Sequence, residues 1–180
     1  MKKTIVIAMF FFLTAVAIFG QEFTFQGLPW GSTREQVIER LGKPERDYTD
    51  RLSFNTSING FLSDLVIDFD DHGMNSAVYH VGRYQRLNNN QLRMAFASLL
   101  NQLIERYGNY HEILTYGLLI NNNQEHFLVW HFDNFHIVIN TIVDNSDSLH
   151  ITYFSTLVWE EGLREVIASG RMTRFPNTSL

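Results

Sequence analysis

"WGSTREQVIERLGKPE", residues Trp30 to Glu45, decides how the chain is read. Ser32 followed by Glu35 forms a capping box: the Ser hydroxyl accepts from the Glu35 N–H, and the Glu35 carboxylate reaches back to the N–H of Ser32. Val37, Ile38 and Leu41 then lay down an apolar stripe at helical spacing. Gly42 suits a left-handed C-terminal cap, and Pro44 forbids continuation. The stretch therefore predicts a short helix over 33–41 with both ends specified. Trp30, just ahead of the cap, reads as a core plug.

The same pattern returns 66 residues later. Gln36 to Gly42 aligns with Gln102 to Gly108 at five of seven positions, and the second copy closes a longer helix that starts near Asn88. Leu92, Phe96, Leu99, Leu100, Leu103 and Tyr107 share one face of that helix. Downstream of each copy runs an alternating segment that ends in an acidic turn, "VIDFDDHG" from Val66 and "VWHFDNFH" from Val129. Alternation and turn residues place strands near 51–56, 61–69, 74–82, 113–120, 124–132, 135–143 and 148–156. Turns fall at 70–73, 121–123, 133–134 and 144–147. The expected fold is α+β: two helix-then-antiparallel-strand units, about 28–86 and 88–156, forming a sheet with helices packed on one face. A terminal helix is expected at about 157–168. The period is too long for a solenoid, so duplication explains it better.

A helix of the form G-S/T-x-x-Q-V-x-x-x-L-G-x-P ahead of antiparallel strands resembles the shared unit of the SmpA/OmlA lipoproteins and of β-lactamase inhibitory protein. The matching residues here are Gly31, Ser32, Gln36, Val37, Leu41, Gly42 and Pro44. The inhibitor-like tandem implies two such units presenting one concave sheet to a partner. The lipoprotein relatives imply a small periplasmic accessory of outer-membrane assembly. Gly108 is not followed by the Pro, and the chain has no lipoprotein cysteine and no paired cysteines.

Lys2 and Lys3 precede an uncharged, mostly apolar run from Thr4 to Phe19, which Gly20-Gln21-Glu22 breaks. Residues 1–20 thus have the layout of a secretory signal peptide, with cleavage after Ala17 or Gly20, leaving 21–180 as a single globular domain. The alternative is a retained membrane anchor, but the run is short of the ~20 residues a spanning helix needs. Without the two lysines, 12 basic residues stand against 19 acidic ones, a formal charge of −7. Such a chain is poorly suited to coating nucleic acid or anionic lipid. The absence of cysteine excludes disulfides, thiolate catalysis and thiolate metal sites, and in an exported chain it favours a bacterial periplasm. A hydrophobic content of 45% excludes disorder.

No nucleophile elbow, zinc-protease, phosphate-loop or dinucleotide motif is present, so no cofactor is implied and no catalytic residue is assigned. One hairpin does carry a geometric signal. With Asp133-Asn134 as a two-residue turn, His131 lies opposite His136, Val129 opposite Val138 and Phe127 opposite Asn140. Leu128, Trp130, Phe132, Phe135, Ile137 and Ile139 then form the core face. Phe127, Val129, His131, His136, Val138 and Asn140 form the other face, and the internal echo adds Asp68 with His80 near it. Two imidazoles without a third ligand are a weak metal site. An aromatic and two valines beside polar groups fit a protein-binding surface. A cover over this face by a C-terminal helix or by the first unit, with the histidines at the rim, is the competing expectation.

The sequence thus leads to an exported, non-enzymatic binding or accessory protein of the bacterial cell envelope, with another envelope or secreted protein as partner. Membrane contact is expected only through an uncleaved signal segment. The alternatives are a periplasmic small-ligand binder or hydrolase, with a pocket between sheet and helices anchored by histidine and Asp68, and self-association through a sheet edge.

Overall fold

The computed structural model describes residues 24–82, 87–117, 124–140, 149–155, 159–160, 162 and 172–176. Along the chain come α1 (Arg34–Leu41), β1 (Arg46–Tyr48), β2 (Arg51–Ile58), β3 (Phe61–Asp70), β4 (Gly73–Val81) and α2 (Asn89–Tyr107). Then follow β5 (Glu112–Gly117), β6 (Gln124–His131), β7 (Phe135–Asn140), β8 (Leu149–Ser155) and β9 (Met172–Pro176). The protein is α+β, and its sheet is antiparallel throughout.

All nine strands hydrogen-bond into one sheet, in the order β1-β2-β3-β4-β8-β7-β6-β5-β9. This overturns the expected fold of two helix-then-antiparallel-strand units. Instead, β4 pairs with β8 from Ser76↔Phe154 to Val81↔Leu149, and the strands of both halves become one continuous layer. The reason is that a separate ladder from each half would leave a strand edge of unpaired N–H and C=O groups, and joining β4 to β8 satisfies both edges. The described helices of 8 and 19 residues are the minor component. β1 and β9, which lie outside the strand ranges that alternation predicts, supply the two outer edges.

Local chemistry accounts for the elements. In β2–β3 the turn is Asn59-Gly60, both at positive φ, the pair a tight hairpin of right-handed twist requires. In β6–β7 the register is the expected one, with His131 opposite His136, Val129 opposite Val138 and Phe127 opposite Asn140. The capping box of α1 is one residue later than expected: Thr33 and Gln36 exchange the reciprocal hydrogen bonds. Ser32 is buried, and its hydroxyl donates to the Pro29 carbonyl at 2.7 Å. Asn88 and Gln91 form the equivalent box at the start of α2.

The main core lies on one side of the sheet. Leu52, Leu65, Ile67, Tyr79, Trp130, Ile137 and Ile151 meet Val37 of α1 and Leu92, Leu99 and Leu103 of α2. Trp130 is fully buried, and its Nε1 donates to the Gly108 carbonyl at 2.8 Å, which ties the end of α2 to β6. Trp30 packs against the same cluster.

The expected signal segment at 1–20 and the turns at 121–123 and 144–147 lie outside the described residues. So does most of the expected helix at 157–168, within which Trp159, Glu160 and Gly162 are helical.

Candidate functional site

Residues opposite one another in antiparallel strands share a face. One such row crosses six strands: Arg51, Asp68, Ser76, Phe154, His136 and His131. The echo between Asp68 and His131 therefore places both in one row, but four strands and roughly 19 Å apart at ordinary strand spacing. The row ends in two different environments.

At the His131 end the face is covered. Val129 is 0% and Val138 8% exposed, packed with Leu114, and Phe127, Phe154 and Trp159 close over them. The indole of Trp159 stacks on His136 at 5.2 Å between ring centres. His131 Nε2 lies 2.9 Å from Oε2 of the buried Glu112, and its Nδ1 lies 2.9 Å from Nδ1 of His136. A carboxylate accepts only, so with His131 neutral its Nε2 carries the proton and its Nδ1 accepts from His136. His136 Nε2 is left as a buried lone pair without a hydrogen-bond partner. Burial, and then the charge of His131, push the His136 pKa down to about 4. Asn140 accepts from the backbone N–H of His150 at 2.6 Å. Among the described residues no three metal-binding side chains are placed to hold an ion.

At the Asp68 end the face is open. Asp68 accepts from Arg51 Nε at 2.5 Å and from the Ser76 hydroxyl at 2.9 Å. It lines a shallow groove of about 570 Å³ together with Tyr48, Asp64 and His80. Tyr48 is 52% exposed.

A second concavity lies on the opposite side of the sheet, where α1 and α2 approach β2, β4 and β8. Its volume is about 540 Å³, within the range of small-molecule sites. Phe25, Tyr79 and Tyr153 form an aromatic wall, with ring centres 5.2 to 6.4 Å apart. Gln26 donates to the Tyr79 hydroxyl at 2.8 Å. Burial raises the phenol pKa values of Tyr79, Tyr107 and Tyr153. All three therefore stay protonated near neutral pH and keep their O–H groups. Leu99, Leu103 and Ile151 add apolar surface, and Arg40 and Arg106 bring the cations. Arg40 is held in place, since its Nε donates to the Gln26 carbonyl at 2.8 Å.

The pocket expected between sheet and helices thus has different anchors. The histidines and Asp68 lie across the sheet from it, and tyrosines and arginines line it instead. A signal for the arginines existed in the sequence. Arg40 and Arg106 are equivalent positions of the repeated heptapeptide, but a basic residue in the last turn of a helix is equally explained by the helix dipole it complements. The tyrosines of β4 and β8 come together only through the β4–β8 pairing.

No protein-family model matches the chain, nor does any curated protein or solved structure.

Proposed function

We propose that this chain is an exported, non-enzymatic binding protein of the bacterial cell envelope, and that its ligand is a small molecule held in the cleft beside Tyr79 and Tyr153. The observation that carries this is the 540 Å³ cleft itself, where four aromatic rings and two guanidinium groups line one space. Among the described residues its lining holds no carboxylate and no imidazole, so none of the described groups there serves as a general base, while orienting donors are plentiful. The leader-like segment from Lys2 to Gly20, and the resemblance of residues 31–44 to envelope lipoproteins, support export.

The test is to isolate the protein from the envelope fraction of its own source, denature it and identify released small molecules by mass spectrometry. Gln102→Trp, an exposed wall position on α2, serves as the blocked control. A compound released by the wild type and absent from the variant supports the proposal. Identical release from both refutes it. A second reading, docking of a protein partner in the open groove around Asp68, is favoured by the exposed Tyr48 ring. It predicts capture of a partner that Tyr48→Asp abolishes and Gln102→Trp does not.

A further inference from the structure

The cleft differs from the chain around it in charge. The whole protein carries a formal charge of −5, yet among the described residues no Asp or Glu lines this cavity while two arginines do. Neither Arg40 nor Arg106 forms an ion pair among the described residues, in contrast to Arg34 with Asp47 and Arg51 with Asp68. Arg106 lies with its guanidinium 5.3 Å from the centre of the Tyr107 ring, at the edge of the cavity. The backbone of Gly27 passes so close to Arg40 that a Cβ there would come within 2.8 Å of the guanidinium. The protonated phenols add donors with no charge of their own.

Resting on the cleft as the ligand site, we infer that it selects an organic anion: one carboxylate, sulfonate or phosphate group on an apolar, ring-bearing body. The anionic group lies between the two guanidinium groups, whose planar forks suit oxyanions. The body lies against Phe25, Tyr79 and Tyr153. A neutral molecule of the same shape leaves two cations facing an empty space and gains only the apolar part.

The full-length protein is titrated with two fluorescent probes of equal body and different charge, 1-anilinonaphthalene-8-sulfonate and neutral N-phenyl-1-naphthylamine. The variants are Arg106→Gln and Gln102→Trp, both at exposed helix positions, with thermal melts to confirm folding and Arg40→Gln as a second charge variant. The sulfonate is expected to bind one saturable site, more tightly than the neutral probe, and to weaken with added salt. Arg106→Gln lowers its affinity about tenfold and leaves the neutral probe unchanged. Gln102→Trp removes both. Equal loss of both probes in Gln102→Trp with no selective effect of either arginine variant would overturn the anion preference and leave the cleft standing. Binding that ignores Gln102→Trp, or no saturable binding of either probe, would overturn both.

Discussion

The Nδ1 atoms of His131 and His136 lie 2.9 Å apart across the β6–β7 hairpin, with Glu112 on the far side of His131 and Trp159 stacked on His136. The row is satisfied only while His136 is neutral, because a proton on its buried Nε2 finds no acceptor. Below pH 6.5 the unfolded chain takes up a proton at position 136 that the folded chain refuses until about pH 4. The unfolded state then binds more protons, so stability falls as pH drops through that window, by about 3 kcal/mol in all. Urea denaturation at pH 7 and pH 4.5 measures this. His136→Leu should flatten the slope, and an unchanged slope in that variant would refute the assignment.

Val129→Asp is expected to unfold the protein rather than strip an exposed surface. The site is 0% exposed between Leu114 and Val138, and a carboxylate there has no partner. The loss should exceed about 3 kcal/mol. A variant that melts near the wild-type temperature would show that the cover over this face lifts easily.

Two glycines at positive φ should answer differently to alanine. At Gly73, φ is 102° and a Cβ would come within 2.3 Å of the Gly31 carbonyl oxygen, where the loop before α1 meets the start of β4. At Gly42, φ is 89° but nothing lies within 4 Å. Gly42→Ala should lose about 1 kcal/mol by thermal denaturation and Gly73→Ala at least twice that. Equal losses would mean that the contact between Gly31 and Gly73 relaxes without penalty.

Trp130→Phe removes the donor to the Gly108 carbonyl and leaves part of a fully buried site empty. The expected destabilisation is about 2–3 kcal/mol. Hydrogen exchange should show the last turn of α2 opening more readily, and protection there equal to wild type would argue against the tie.

Asp68→Asn should change stability by less than about 1 kcal/mol, since its ion pair with Arg51 is largely solvent-screened. A larger loss in a denaturant titration would make this pair structural.

Periodicity and turn chemistry are local, and what they govern was legible. The β6–β7 register followed from a two-residue turn at Asp133-Asn134, and it correctly divided Trp130 and Ile137 from Val129 and Val138. Local rules could not say what covers each face. Val129 and Val138 lie under Trp159, a contact set by packing across the sheet that no spacing reveals. The Thr33 box shows a finer limit. Ser32 and Thr33 are both competent caps, and the burial of Ser32 against Pro29 decides between them.

By itself the sequence determined the segments: two capped helices, seven of the nine described strands, and which side chains of a strand share a face. Each depends on neighbours within a few residues, where backbone preference and apolar period suffice. Only the tertiary structure decided that β4 joins β8 in one sheet, because edge strands pair over long separations without a sequence mark. That pairing is also what brings Tyr79 beside Tyr153, and so makes the cleft that Arg40 and Arg106 line.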